Sequence, residues 1–483
     1  HPRAGAAERR FAAQDRGGRV MAVASAYPAY TESGLQWCKS IPSHWEVRRI
    51  STLGKVGNGS TPSRSNVAYW SESGMPWLNS GVVHQGVVRI APRFVTPLAI
   101  SECHLPVVPK GAVVIAITGQ GKTRGSAAVL GIESTISQHL AYVTVRENAV
   151  SGAFLRFALV AAYGLLRAIS DDTGGTKGAL TCSAVKRFAV VVPPRPEQDQ
   201  IVAYLRAQDA HIARFIKAKR ELIKLLTEQK LRIIDHAVTR GLDASVELKP
   251  SGIEWLGEVP EHWEVAHIGS AVQIVNGYPF DSELFDPAIG HPLVRIRDLN
   301  RTHTEVQFNG PEVCEAVINT GDLIVGMDGD FNAARWRGGR ALLNQRMCCL
   351  RPRKQITTEY LALVITKALK FINDLTLSTT VKHLSSGDVK RLRFPVPGET
   401  EQLQIVAHVE AETAPVNEAI ARAEEEIKLI REYRDRLIAD AVTGQVDLRG
   451  WQPGPDDAVS DDDLAALGDD EAETVEEDAD GNE

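Results

Sequence analysis

The chain is written twice. Ser33-Gly34, Trp37, Pro42, the run His44-Trp45-Glu46-Val47, Ile50 and Asn58-Gly59 return 218 residues later. They reappear as Ser251-Gly252, Trp255, Pro260, His262-Trp263-Glu264-Val265, Ile268 and Asn276-Gly277, giving 11 identities in 27 positions. A second match sets Lys186–Asp243 against Lys390–Asp447, with 24 identities in 58 at an offset of 204. Internal repetition dictates architecture before any local propensity does. Two matches in the same order exclude coincidence, so the chain is a tandem duplication of about 200 residues. Each copy has a similar entry segment, a divergent middle and a similar exit segment.

The exit segments read as long helices. Glu197 to Thr239 contains neither proline nor glycine. Ile212, Ile216, Ile223, Leu226, Ile233 and Ala237 recur at spacings of three and four, interrupted by Lys219 and Lys230. The second copy offers Val416, Ile420, Ala423, Ile427, Ile430, Leu437 and Ala441, with Arg434 in the place of Lys230. A 3.5-residue repeat held over several turns makes a seam that packs on another helix; the simplest partner for one seam is the other, and the alternative is that each helix packs on its own globular domain. At about 1.5 Å per residue, about 40 residues span about 60 Å. Pro415 is expected to kink or delay the second helix, because proline removes a backbone donor; Gly241 and Gly444 should end the two helices. In the middles, Val113–Ile117, Ala141–Val145, Ala189–Val192 and Leu323–Val325 are short apolar runs bounded by glycine or proline, which predict strands. Phe154–Ile169 and Thr358–Ile372 have helical periodicity. Each middle is thus a small mixed α/β domain rich in polar loops.

Composition narrows the function. A chain of 483 residues, 43% hydrophobic and 24% charged, is globular and holds two to four domains. No run of about 18 apolar residues is present, which excludes a membrane-spanning helix. The first 20 residues carry Arg3, Arg9, Arg10, Arg16 and Arg19 without an apolar core, so they do not form a secretory signal; Met21 is a candidate natural start. Six cysteines without a CxxC pair indicate neither zinc nor a disulfide scaffold and fit a reducing cytoplasm. The net charge of −7 conceals an asymmetry. Residues 452–483 hold 14 acidic and no basic residues, and removing them from the 61 acidic residues leaves 47 against 54 basic, a net +7. A mildly basic body permits an anionic partner such as DNA. The acidic tail, without aromatics beyond Trp451, is expected to be a disordered, solubilising end, with DNA mimicry or autoinhibition as its alternative roles.

Catalytic patterns fail one after another. Ala116–Thr123 has a relaxed phosphate-loop spacing ending in Gly121-Lys122-Thr123. The strict first glycine is missing, no long helix follows, and the second copy has Gly329-Asp330-Phe331-Asn332 there instead. His44 and His262 belong to an anchored turn. Glu247 and Lys249 lack the further acids of a nuclease. Pro193-Pro194 lacks the flanking residues of a DNA methyltransferase motif. What remains is binding chemistry around glycine turns: Asn58, Asn79, Gln120, Lys122, Thr123, Arg124, Gln138, His139 and Lys177 in the first copy. The second offers Asn276, Arg295, Arg297, Asn300, Arg301, Asn332, Arg335, Arg337, Asn344, Gln345, Arg346, Lys382 and His383, with Phe280, Phe331 and Trp336 among them. Arg pairs with guanine, Asn and Gln with adenine, and Lys with phosphate.

In Pro42–Val47, Val259–Val265, Val192-Pro193-Pro194 through Gln198, Val396-Pro397 through Gln402, Gly321–Leu323, Met327–Asn332 and Asn344–Arg346, the chain resembles the specificity subunits of type I restriction-modification enzymes. The resemblance covers residues 30 to 450. It implies an α+β protein with two similar target recognition domains, separated by two long antiparallel coiled-coil helices with pseudo-twofold symmetry. The expected boundaries are an extension at 1–29, domains at 30–196 and 243–400, helices at 197–242 and 401–446, and a disordered tail at 447–483. It also implies a non-catalytic, cytoplasmic subunit with no cofactor of its own. Each domain would read one half of a bipartite site on double-stranded DNA, while the helices set the gap and dock two methyltransferase subunits, which recruit restriction subunits. S-adenosylmethionine and ATP would belong to those partners. The extension and the acidic tail depart from the family pattern. Two other readings stand beside this one: a phosphate-loop nucleotide-binding protein and a coiled-coil scaffold that binds protein only.

Overall fold

The computed structural model describes residues 26–119, 122–171, 178–329, 331–353, 355–375, 383–460 and 462–467. It divides into two units, His1–Lys219 with Glu426–Glu483, and Arg220–Glu425. The two long helices run Arg195–Arg240 and Glu399–Val442, so each unit holds one half of each.

In the first unit, β1 (Glu46–Arg49), β2 (Gly54–Asn58), β3 (Val87–Val88), β4 (Val113–Ala116), β5 (Ala127–Leu130), β6 (Leu140–Val145) and β7 (Ala189–Val192) carry the fold. The main sheet has the order β2-β6-β4-β5-β3, and β1 pairs with β7. Successive residues of a strand point to opposite faces. Val113, Ile115 and Val143 pack with Phe154, Leu155 and Phe157 of the helix Gly152–Ala161. Val114, Ala116 and Leu140 pack on the other side with Leu78, Val82 and Ile136. A run buried on both faces reads as continuous apolar sequence, which is why β4 is legible from sequence. The helix expected over Phe154–Ile169 is two, Gly152–Ala161 and Tyr163–Asp171, bent by 65°; past the bend the Tyr163 hydroxyl donates to the Lys122 carbonyl at 2.9 Å.

The second unit repeats the plan. β8 (Glu264–His267) pairs with β13 (Arg393–Val396), and β9 (Val272–Asn276), β10 (Leu323–Gly326), β11 (Ala333–Arg335) and β12 (Met347–Pro352) form a sheet of order β9-β12-β10-β11. Leu323, Val325 and Leu350 meet Tyr360, Leu361 and Val364 of the helix Thr358–Leu375; Ile324, Met347 and Cys349 face Val294, Leu299 and Trp336. All six cysteines are free thiols. Burial pushes Cys348 and Cys349 up to about 12, so they stay protonated and inert. Among the described residues no single helix is long and apolar enough to cross a membrane.

The repeated Pro-x-His-Trp run is an anchor for the start of each long helix. In the first unit the Tyr27 hydroxyl (2.9 Å) and the Trp45 indole (3.0 Å) both donate to Glu197 Oε2, and His44 Nε2 meets Oε1 at 2.7 Å. In the second, His262 Nε2 meets Glu401 at 2.9 Å, but the buried Trp263 indole nitrogen has no partner. Gly241 (φ 73°) and Gly444 (φ 68°) close the helices in the left-handed region against the same runs, Trp263 in one unit and Pro42 in the other. Leaving a buried donor unpaired costs about 1–3 kcal/mol. Glu197→Ala, which strands two donors, is therefore expected to cost about 2–3 kcal/mol, and Glu401→Ala about 1 kcal/mol. Thermal unfolding of the two variants should rank them in that order.

Within the first unit the helix halves are antiparallel neighbours. Lys219 is ion-paired to Glu426, and Asp209, earlier on its helix, meets Arg434, later on the other. Ile201 and Leu205 share a core with Ile438, Ala441 and Val442. In the second unit Ile234, Ala237 and Val238 pack with Ile405 and Val409. Of the seam positions read from sequence, Ile212, Ile216, Val416 and Ile427 are buried, whereas Ile223, Leu226, Ile233, Ile420, Ile430 and Leu437 are half-buried. Ile233 and Leu437 are corrected to their neighbours Ile234 and Ile438, at 8% and 0% exposure. The strict 3.5 repeat drifts against a helix of 3.6 residues per turn, and toward the helix ends the buried face moves on by one residue. Pro415 does not delay the second helix, which starts at Glu399 and passes through it. Just before the proline, the buried Thr413 hydroxyl donates to the Val409 carbonyl at 2.7 Å.

Both ends expected to be disordered are partly folded. Tyr27 is buried in the first unit's core, so that domain starts before residue 30. Leu448 is buried and residues 451–467, apart from 461, lie on the first unit. Residues 1–25 and 468–483 lie outside the described residues.

Candidate nucleic-acid interface

The same hydrogen-bonded frame recurs in both units. In the first, the Gly59 amide donates to the Leu140 carbonyl, Ser60 to Ile136, Ser137 to Leu78, Ile117 to His139 and Leu180 to Ile117, at 2.8–3.3 Å. In the second, Gly277 donates to Met347, Tyr278 to Leu343, Asn344 to Val294, Met327 to Arg346 and Leu384 to Met327, at 2.8–3.0 Å. The glycine is required by contact: a Cβ at Gly59 would lie 1.9 Å from the Ile136 carbonyl oxygen, and at Gly277 1.8 Å from that of Asn344. This close approach ties the end of one edge strand (β2 or β9) to the turn before β6 or β12.

The bonds align the two loop clusters residue by residue. Asn58 corresponds to Asn276, Asn79 to Arg295, Thr118 to Asp328, Gln138 to Gln345 and His139 to Arg346. Two positions carry the same side chain and three do not. Thr118 Oγ1 meets His139 Nδ1 at 2.6 Å, which orients the exposed His139 ring. Asp328 is a double acceptor, at 2.6 Å from His383 Nδ1 and 3.2 Å from Arg346 Nε, so it orients both exposed side chains. Sequence reasoning misses Thr118 and Asp328. Their signal is visible only when the two copies are superposed through main-chain bonds, since the intervening segments do not align. Tyr278, equally unmarked by sequence, is exposed beside Asn276 with its ring edge-on to Phe280.

Of the matched residues, Asn79 and Arg295 are engaged within their own loops, and the other candidates fall elsewhere. Asn79 caps a short turn through the Gly81 amide at 3.1 Å. Lys122 is exposed, Thr123 half-buried and Arg124 buried, the last turned inward to ion-pair with Asp171 and donate to the Gly178 carbonyl at 2.7 Å. Arg124 is thus corrected from a base reader to a structural cation. Arg295 pairs with Asp298 and Glu305, Arg301 with Glu305, and Arg335 with Glu359. Arg297, Asn300, Asn332 and Arg337 are exposed on neighbouring loops. Phe280, Phe331 and Trp336 are core residues, at 8%, 3% and 2% exposure, unable to stack on bases. Gln120, Lys177 and Lys382 lie outside the described residues. The phosphate-loop alternative fails on context. β4 is followed by antiparallel β5, with Gly125 donating to the Ala116 carbonyl at 2.8 Å, so among the described residues the chain does not run from this strand into the helix that a phosphate loop requires. Among the described residues no cluster of three His, Cys, Asp or Glu side chains could hold a metal.

Comparison with known proteins identifies the family and the fold. The family model for the type I restriction modification DNA specificity domain matches residues 42–225 and again 260–429. The EcoBI type I restriction enzyme specificity subunit of Escherichia coli is 34% identical over 204 residues, 42% of this chain; that match spans 43% of the relative's length. The MjaIX specificity subunit of Methanocaldococcus jannaschii is 22% identical over 435 residues, 84% of this chain and 94% of the relative. A chain solved in work on complex assembly and conformational transition of the type I R-M system superposes with a TM-score of 0.56 at 15% identity, covering 84% of this chain and 99% of that one; it supports the fold.

Proposed function

Because the chain belongs to the type I restriction-modification DNA specificity family, we propose that it is the non-catalytic subunit that chooses the DNA sequence in such a complex. Each unit reads one half of a bipartite site on double-stranded DNA. The observation that carries this reading is the shared frame with divergent contents: five matched main-chain bonds present Asn and Gln at two common positions and different polar side chains at three. A scaffold binding only protein has no need of two identically braced polar loops. Sequence is read by hydrogen bonds to base edges, so two readers of different half-sites should keep the brace and change the side chains.

The paired helices supply the spacer and the docking surface for two methyltransferase subunits, which hold S-adenosylmethionine; restriction subunits joining them hold ATP. The methylated base would be flipped into a partner's pocket, leaving this chain only recognition. Such an assembly works in the cytoplasm. Co-expression with the methyltransferase, followed by sequencing of methylated positions, tests the reading. A bipartite motif with a constant gap supports it; a continuous motif, or DNA binding without salt dependence, overturns it. Removing seven residues from each long helix is expected to change the gap and leave both half-sites intact, because the length of the helices between two readers sets how far apart their sites can lie. Altered half-sites with an unchanged gap would contradict this.

A further inference from the structure

The acidic C-terminal segment, which lies beyond the residues matched by the family model, has a defined seat on the first unit. Trp451 packs edge-on against Tyr204 with centroids 5.4 Å apart, and its carbonyl accepts from Gln200. Further along the same helix, His211 Nε2 meets Asp457 at 2.9 Å. Arg214 grips three successive features: the Asp456 carbonyl at 3.2 Å, the Ala458 carbonyl at 3.1 Å and the Asp463 carboxylate at 2.9 Å. Burial raises the Asp457 carboxyl, but the Gly454 amide, His211 and Arg214 outweigh it and hold it below the usual range. The segment ends with Leu464 half-buried and Leu467 at 5% exposure.

Those leucines form part of the walls of two adjoining grooves of about 790 and 260 Å³. Leu467 lines the larger with Asn79, Lys122 and Thr123, three of the candidate DNA-contact residues, together with Arg156 and Arg431. Both leucines line the smaller with Arg89, Lys110 and Arg206. The seat is specific to this unit. By the repeat offset of 204, the positions of Tyr204, His211 and Arg214 in the second copy are His408, Pro415 and Glu418, which could not hold an acidic segment.

We propose that this face of the first unit is a binding surface for an acidic, leucine-bearing segment, occupied in cis by residues 451–467, and that the segment competes there with duplex DNA. The competition clause rests on the DNA-reading function; the seat does not. Asp463 directly precedes Leu464 of the groove wall, a carboxylate there resists an approaching phosphate chain, and a tethered ligand acts at high effective concentration. The strap thus weakens non-specific contact at one half-site and yields where base contacts add to the phosphate term.

The experiment compares three forms of the chain assembled with its methyltransferase: wild type, Asp457→Asn/Asp463→Asn, and a chain stopped after Gly450. Fluorescence anisotropy with a random-sequence duplex at several salt concentrations gives the affinities. Both altered forms should bind several-fold more tightly than wild type, the gap closing at high salt, and a synthetic 451–467 peptide should return the shortened form to the wild-type value. Tighter binding by the shortened form alone would mean bulk charge rather than a seat, and would overturn the proposal. So would an unchanged affinity in both. Should the shortened chain fail to assemble, Arg214→Gln in the full chain takes its place with the same expectation. Absence of DNA binding in every form would sink the DNA-reading function instead, and peptide binding to the shortened form without DNA would still decide the seat.

Discussion

Arg434→Leu is expected to destabilise the first unit by about 3–5 kcal/mol, more than any truncation of a seam isoleucine to valine. Arg434 lies between the two helices with Nε 2.6 Å from Asp209 Oδ1 and Nη2 3.2 Å from Oδ2, and both side chains are over nine-tenths buried. Removing the guanidinium leaves a carboxylate in an apolar seam, and the cost is that of the stranded charge rather than of a lost bond. The pair itself contributes far less. Asp209→Leu with Arg434→Leu is expected to lie within about 1–2 kcal/mol of wild type or above it, since well-packed apolar residues commonly replace buried ion pairs without loss. Denaturant unfolding of the two single variants and the double variant makes a complete cycle. Similar losses in all three would mean that the pair's own attraction, not desolvation, holds the seam. The pair also fixes register: sliding one helix by a turn along the other would bury both charges unpaired.

How much of this can be read from sequence follows from how local each signal is. The duplication, the long helices and the buried strands β4 and β10 are carried by identity and periodicity within a few dozen residues, and they are where expected. Arg434 is legible as a break in the seam, but its partner stands 225 positions away, and no local pattern points to Asp209. The seam's shift from Ile233 to Ile234 and from Leu437 to Ile438 arises from the mismatch between 3.5 and 3.6, too small to see in one heptad. The Pro-x-His-Trp run is legible as an anchor, but not what it anchors, because Glu197 enters from the other end of the domain. The tail illustrates the opposite error. Its composition says disorder, yet Trp451, Leu464 and Leu467 are spaced to use a surface that only the folded unit creates. Among the loop residues, type and glycine context mark Asn58, Gln138, His139, Asn276, Gln345 and Arg346 as candidates, but do not separate these exposed residues from Arg124, which faces inward.

The distinction between reading and bracing residues sets the second large effect. Asp328→Ala is expected to relax recognition in one half of the methylated sequence and leave the other half and the gap as they were. Asp328 itself points no donor outward; it is a positioning residue that holds Arg346 and His383. A bidentate arginine–guanine contact discriminates by about 1–3 kcal/mol, so releasing the guanidinium should reduce selectivity at that base by roughly 5- to 150-fold, at about 1.4 kcal/mol per tenfold. The matched variant in the first unit, Thr118→Val, frees His139 and should act on the other half-site, with a smaller effect because one bond to a hydroxyl is lost rather than two to a carboxylate. Methylated-position sequencing of complexes carrying each variant gives both motifs directly, and Asp328→Glu, which keeps the acceptor, should recover part of the selectivity. A merely structural aspartate would lower the yield of the complex and methylation of every site alike, without changing the motif. If instead Asp328→Ala altered both halves at once, the two units would not read independently, and the matched frames would need another explanation.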